Sequence, residues 1–326
     1  MQPVKSSVVG QQPPDAGVIA HSAAMCTILA LVPKIGGADV PVLILGELGV
    51  GRQTIARQIH RQSPRAAGPF VHVVCGALRE PDLEEKLFGQ RWDCPSGSSA
   101  PPASLLQASQ GGTLFLDEVA QLPLWAQIKL LDALQSGSGR DRENGAALPA
   151  QARVIASSTR DLETAVAEGR FHSGLYYYLN AVRIDVPPLR HRQDDILALA
   201  EYYLAAAVSR HCRPQDQRPW HFSKEACETL LRFDWPGNVL QLASVVAHAA
   251  MLAEGPEIGQ ECVAGLLCTS RQRVDCEMIS VPLAGSLKEM ESTLIHEVIR
   301  RCQGNKAAAA RSLKLHRRTL YRLLEE

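Results

Sequence analysis

The residues best placed to do chemistry are a glycine-rich loop and an acidic pair. The loop is Gly46-Glu47-Leu48-Gly49-Val50-Gly51-Arg52-Gln53, behind the apolar run Val42-Leu43-Ile44-Leu45 and ahead of a helix-forming segment from Thr54 to His60. Strand, glycine loop and helix in that order make a place for phosphate. Backbone N–H groups and the helix N-terminus face an anion there, and glycines let the backbone come close. The spacing is that of a P-loop, G-x-x-x-x-G-[KR]-x. Arg52 stands where a phosphate-binding lysine is usual, and Gln53 where a serine or threonine would reach Mg²⁺. The acidic pair, Asp117-Glu118, ends the apolar run Thr113-Leu114-Phe115-Leu116. Beside a P-loop, such a pair does Walker B chemistry: Asp117 would hold Mg²⁺ and Glu118 would polarise the attacking water. The predicted cradle for ATP or ADP with Mg²⁺ is Gly46, Glu47, Gly49, Val50, Gly51, Arg52, Gln53 and Asp117, with Glu118 as the catalytic group.

Those residues need a scaffold, and the pattern supplies one. Strands are predicted at 39–45, 69–74, 113–117, 153–158 and 182–186, the last stopped by Pro187-Pro188. Helices are predicted at 19–34, 54–62, 81–88, 124–135 and 162–168. Strands alternating with helices predict an α/β unit with a parallel sheet covered on both faces. The stretches 92–104 and 136–151 are rich in Pro, Gly and Ser and read as long loops. After Asp194 the strands stop. Helices at 195–209, 223–233, 239–253 and 261–267 predict a separate all-helical unit. A linker at 269–285 then leads to a long helix and two short ones around Gly304-Asn305. The expected organisation is a tail at 1–16, an α/β nucleotide-binding part at 17–194, a helical part at 195–268, the linker, and a terminal all-α part at 286–326.

Bulk composition limits the partners. The chain of 326 residues has a formal net charge of zero, so DNA contact requires a local patch rather than a global field. Its nine cysteines show no C-x-x-C spacing, which argues against structural zinc and suits a reducing compartment. Residues 1–17 lack the apolar core of a signal sequence, and no stretch reaches the ~18 apolar residues of a membrane span. The expectation is a cytoplasmic protein with no membrane partner.

Local basic charge is found between Arg300 and Leu324: Arg300, Arg301, Lys306, Arg311, Lys314, Arg317, Arg318 and Arg322, with no Asp or Glu among them. Ala307–Ala310 lets two helices pack closely, and His316-Arg317-Arg318-Thr319 opens the last helix. In helix-turn-helix motifs that first turn meets base edges in the major groove. Lys306, His316, Arg317, Arg318, Thr319, Tyr321 and Arg322 are the candidate contacts to double-stranded DNA, with Tyr321 and Arg322 set toward the backbone. Leu313, Leu315, Leu320 and Leu323 read as core.

The chain resembles the AAA+ sigma-54 activators, the bacterial enhancer-binding proteins. The resemblance runs from Ile19 to Glu326 on GELGVGRQTIARQIH, GPFVHVVCGAL, EKLFGQ, GGTLFLDEVAQLP, ARVIASSTRDLETAVAEGRF, LYYYLN, VPPLRHRQDDI, WPGNV and GNKAAAARSLKLHRRTLYRLL. It implies a ring-building ATPase with a helical lid, a GAFTGA loop that pushes on sigma-54, and a Fis-type helix-turn-helix. Several matched positions depart from the family pattern. The P-loop lysine is Arg52, and the asparagine that restrains the Walker B glutamate is Val74. The GAFTGA segment falls on Asp93–Ser98, the trans-acting arginines on His172 and Tyr178, the lid arginine on Leu240, and the sensor Thr-Asn pair on Ser158-Thr159. Lys314 replaces a turn glycine.

Together these departures predict a degenerate member. Nucleotide binding is expected to be weak and hydrolysis impaired, without the GAFTGA contact to sigma-54. Such a regulator would act through DNA occupancy, through a homo-oligomer (dimer or ring), or through contact with RNA polymerase or a related activator. Two other readings stay open: an active ATP-dependent sigma-54 activator with divergent motifs, and a non-DNA partner that modulates an active relative in mixed rings.

Overall fold

The computed structural model describes residues 18–77, 80–89, 104–136, 152–211, 219–253, 255–274, 287–301, 306 and 319–320. It divides into two compact units, Met1–Leu267 and Cys268–Glu326.

The first unit begins with helix α1 (Ala23–Gly37), capped by the Ser22 hydroxyl. Strand β1 (Val42–Leu45) and helix α2 (Arg52–Arg61) flank the glycine loop. Strand β2 (Phe70–Val74) leads to α3 (Glu80–Phe88) and a single turn, α4 (Leu105–Ala108). Strand β3 (Thr113–Asp117) is followed by α5 (Leu124–Ser136), and β4 (Arg153–Ser158) by α6 (Leu162–Ala167) and α7 (Ser173–Leu179). Strand β5 (Val182–Asp185) completes a parallel sheet in the order β2-β3-β4-β1-β5. Helices α4 and α7 are additions to the pattern read from the sequence.

The central strands are buried along their whole length, as a sheet covered on both faces requires. Alternate residues enter opposite cores. Leu43, Leu45, Leu114, Leu116, Val154 and Ala156 pack with α3, α5, α6 and α7 on one face. Val42, Ile44, Phe115 and Ile155 pack with α1 and α2 on the other. Ile55 and Ile59 lie one turn apart on α2 and are at most 1% exposed, and each contributes about 1.5–3 kcal/mol of apolar burial. That packing fixes the helix that follows the glycine loop. The register pairs Val74 with Asp117 and Ile44 with Ser157, so the carboxyl ends of the strands form one rim. This is the rim where open α/β sheets bind ligands.

Beyond β5 come α8 (Asp194–His211), strand β6 (His221–Phe222), α9 (Lys224–Arg232), α10 (Asn238–Leu252), strand β7 (Glu257–Ile258) and α11 (Gln260–Val274). The expectation of an all-helical unit is corrected here: β6 and β7 form a short parallel ladder, Phe222 opposite Ile258, and both residues enter the helical core. Strands of two residues carry no periodicity to read. Helix α11 also runs to Val274, past the expected end at Leu267 and into the predicted linker. Trp235 anchors this core: it is fully buried, donates Nε1–H to Leu230 O at 2.9 Å and meets Phe233 edge-on. Asp195, at the start of α8, accepts from the backbone of His21 and Ser22 and from the Ser22 hydroxyl, and so ties α1 to the helical part.

In the second unit, α12 (Leu287–Arg301) buries Ile295 and Val298 on one side and pairs Arg300 with Glu297 in solvent. Thr319 and the fully buried Leu320 are helical.

Candidate nucleotide site

The glycine loop is held from the side of the helical part. Asn238 is fully buried with φ +51°, a left-handed backbone that asparagine tolerates. Its Oδ1 accepts from Leu189 N at 2.7 Å, and its Nδ2 donates to Leu48 O at 3.0 Å and Glu47 Oε2 at 3.1 Å. Val239 N donates to Gly49 O, and Arg192 Nη2 to Val50 O. Glu47 and Arg190 close a two-bond pair at 2.9 and 2.6 Å. The bond from Arg190 is the main influence on the Glu47 carboxyl and, with Asn238, pulls its pKa below the usual range against the opposing effect of burial. Gly49 has φ +79°, and a Cβ there would stand 2.5 Å from Gly237 O. Only glycine fits so close to α10. Gly51, at φ +104°, turns the chain into α2.

Arg52, the first residue of α2, turns inward and is 6% exposed. Its Nη1 donates to Gly46 O at 3.0 Å. Its Nη2 donates to Glu118 Oε1 at 2.5 Å and lies 3.6 Å from Asp117 Oδ1. Its guanidinium thus engages the two acids at the end of β3.

Each of the remaining carboxylate oxygens also faces a donor. Glu118 has φ +58° and is 8% exposed; its Oε2 accepts from Thr159 N at 3.1 Å and Thr159 Oγ1 at 3.0 Å. Ser157 donates its hydroxyl to Asp117 Oδ1 and accepts from Glu118 N. His72 Nε2 stands 3.6 Å from Asp117 Oδ2, beyond direct hydrogen-bond reach. The imidazole stacks on Phe115, and Gln53 Nε2 lies 3.3 Å from its Nδ1. Burial pushes the Asp117 carboxyl up. His72, the Ser157 hydroxyl and the Arg52 guanidinium outweigh it, so its pKa lies below the usual carboxylate range.

This arrangement tests the expected metal. Mg²⁺ demands near-octahedral oxygen donors, usually carboxylates and water. Here the Asp117 and Glu118 oxygens are directed at a guanidinium, an imidazole, two hydroxyls and a backbone N–H. Gln53 is turned to His72. As arranged, this donor set does not fit a divalent cation.

Other sequence candidates take quieter places. Val74 sits opposite Asp117 in the sheet and offers no hydrogen bond to Glu118. His172 caps α7: its Nδ1 accepts from Leu175 N, and its own N–H donates to Gln127 Oε1. Tyr178 is half-buried against the sheet core, and burial raises its phenol pKa. Leu240 stands beside Gly49 and remains 61% exposed, so an apolar side chain borders the loop where the resemblance puts an arginine. His72 was missed in the sequence, where it reads as one interior residue of an apolar strand. Its signal was a polar ring on the same sheet face as Phe115, two positions before the rim. Asp93–Ser98, His316, Arg317, Arg318, Tyr321 and Arg322 lie outside the described residues. Lys306 is exposed, and Thr319 is half-buried.

The sheet, rim and loop are those of an AAA+ P-loop unit, and known families match the chain part by part. The sigma-54 interaction domain matches residues 18–185, the AAA+ ATPase lid domain 190–274, and the bacterial regulatory protein Fis family 286–326. The transcriptional regulatory protein GlrR of Escherichia coli is 34% identical over 310 residues, covering 94% of this chain and 67% of its own. The Nif-specific regulatory protein of Rhodobacter capsulatus is 37% identical over 239 residues, 73% of this chain and 40% of its own. A crystal structure of NtrX from Brucella abortus in complex with ADP superposes with a TM-score of 0.67 at 27% identity, over 95% of this chain and 68% of that one. Among the described residues no helix is long and apolar enough to cross a membrane. The chain belongs to the sigma-54-activator family of transcriptional regulators, with an AAA+ P-loop unit, its helical lid and a C-terminal Fis-type helix-turn-helix.

Proposed function

We propose that this regulator binds DNA through its terminal helices and uses its P-loop unit as a nucleotide-responsive scaffold rather than an ATP-driven motor. The observation that carries this reading is the captured Glu118. A glutamate that activates water must present a free carboxylate oxygen to it. Here Oε1 is held by Arg52 and Oε2 by Thr159. His172, Tyr178 and Leu240 supply no guanidinium where the family pattern has one, and an arginine finger alone is worth roughly 10³–10⁵ in rate. Nucleotide binding is supported by the glycine loop, with Gly49 and Gly51 in the left-handed conformations such a loop needs. NtrX, solved with ADP and with ATP, superposes on the same unit.

The DNA contacts are Lys306, His316, Arg317, Arg318, Thr319, Tyr321 and Arg322. The regulator acts as a homo-oligomer, through occupancy or contact with RNA polymerase or a related activator, and without a GAFTGA push on sigma-54. The test is phosphate release from ATP by the full chain. The expected rate is the buffer background, unchanged in Glu118→Gln. A rate well above background that Glu118→Gln abolishes would overturn this reading in favour of a working motor.

A further inference from the structure

We propose that Arg52 is a built-in counter-cation for Asp117 and Glu118. It takes the place of a divalent metal, so that a nucleoside polyphosphate binds here without one. The ligand in that statement rests on the nucleotide reading above; the counter-cation does not.

Two carboxylates at the rim of a sheet repel each other and lose hydration on burial, so they need a cation. In a P-loop enzyme the metal meets that need and is neutralised in turn by the phosphates. Here a guanidinium, which carries a permanent charge, lies within 2.5 Å of Glu118 and 3.6 Å of Asp117. It is held in place by Gly46 O and is almost wholly buried. His72 covers the far oxygen of Asp117, and Gln53 orients His72 where a metal-binding hydroxyl would stand. Entry of a divalent cation would require Arg52 to leave both acids and Ser157 to release Oδ1. That exchange replaces an ion pair already formed with one that must first be dehydrated, and Mg²⁺ dehydrates reluctantly. Asp117, Glu118, Arg52 and His72 thus form a closed electrostatic unit. The anion-binding part of the loop, its backbone N–H groups, needs no metal to act.

The substitution pattern fits this unit. Lysine at position 52 would bring a compact ammonium with no fork to bridge Gly46 O and Glu118. Arginine at 52, glutamine at 53 and histidine at 72 act together: one supplies the charge, one contacts the imidazole and one faces the second carboxylate.

Two measurements on the full chain decide the matter. Mn²⁺ is the metal probe, read by the spin-resonance signal of the free ion with and without ADP. ADP affinity is titrated in Mg²⁺ and in EDTA. We expect wild-type protein to leave the free-Mn²⁺ signal at the level of a protein-free control, with and without the same ADP, and ADP affinity to agree within about twofold between the two buffers. Arg52→Ala, or Arg52→Lys should the alanine variant fold poorly, is expected to retain Mn²⁺. Mn²⁺ retained by the wild type, or ADP affinity at least about tenfold higher in Mg²⁺, overturns the counter-cation and leaves the nucleotide reading intact. No ADP binding in either buffer sinks the nucleotide reading, while free Mn²⁺ with wild type and captured Mn²⁺ with the variant still uphold the counter-cation.

Discussion

Arg52 and Glu118, 66 residues apart in the chain, form a buried ion pair with Nη2 2.5 Å from Oε1. Removing one member of such a pair leaves the other charged, buried and alone, at a cost of about 3–5 kcal/mol. Removing both costs less than the two single changes added together, because Glu118 is no longer left as a buried charge and only Asp117, still held by Ser157, loses the guanidinium. Arg52→Met should therefore lower stability by about that amount, and Arg52→Met with Glu118→Met by clearly less than the sum of the single changes. Urea unfolding of the four proteins gives the coupling. Simple additivity would show that the pair is not held as described.

Asn238 joins Leu189, Glu47 and Leu48 with one side chain. In Asn238→Ala the buried Leu189 N–H loses its partner, a penalty of about 1–3 kcal/mol, and the more exposed Leu48 O can turn to water instead. Arg190→Ala breaks only a half-exposed pair and should cost at most about 1 kcal/mol. Thermal unfolding separates the two. Hydrogen exchange at Val50, whose N–H bonds Glu47 O, should quicken in Asn238→Ala. Equal effects from both variants would mean the lid is not keyed through Asn238.

His60 is 6% exposed, meets Thr113 Oγ1 at 2.9 Å and packs on Phe70. Burial, then the charges of Arg153, Arg57 and Arg61, depress its pKa below 6.5. The unfolded chain takes up a proton near pH 6.5 that the folded chain refuses. Stability from this site is therefore full above about pH 6.5 and declines as pH falls below it, by at most about 1.4 kcal/mol per unit. His60→Gln should flatten the pH 5–7 profile of the urea midpoint relative to wild type. Asp117, also depressed, contributes above its unfolded pKa and loses that contribution only at lower pH, so Asp117→Asn should leave the pH 5–7 slope unchanged.

Arg317 and Arg318 belong to the basic segment between Arg300 and Leu324 and are among the proposed DNA contacts. If each neutralises one phosphate, each alanine substitution should lower the slope of log affinity against log salt by about 1 on any duplex. If either reads a base edge, its loss should instead relax discrimination at one position of the site. Fluorescence anisotropy at several salt concentrations, on specific and scrambled duplexes, makes the distinction. Unchanged slopes and unchanged discrimination would remove both residues from the interface.

The sheet was legible because its strands are apolar runs and its helices have a clear period. The loop at Gly46–Gln53 and the acids at Asp117 and Glu118 were legible because local spacing alone defines them. The direction of Arg52 was not: its partners come from two other strand ends, and nothing at position 52 announces them. His72 was hidden for the same reason. Helix α7 was missed between a glycine and a strand, and β6 and β7 because a two-residue strand is defined by its partner and not by its own pattern. The close fit of Gly49 to Gly237 joins residues far apart in the chain and has no counterpart in either local sequence.

Three successive carbonyls of the loop, Leu48, Gly49 and Val50, accept hydrogen bonds from Asn238, Val239 and Arg192. A trans peptide is planar, so the N–H that follows each carbonyl points the opposite way. Fixing the three oxygens therefore fixes the tilt of three peptide planes. It turns the N–H groups of Gly49 and Gly51 away from the lid; that of Val50 is spent on Glu47 O. The polarity an anion meets in the loop is thus written partly by α10 and by Arg192. Were the lid to swing off, these planes would be free to rotate, and the dipoles that attract phosphate would lose their common direction.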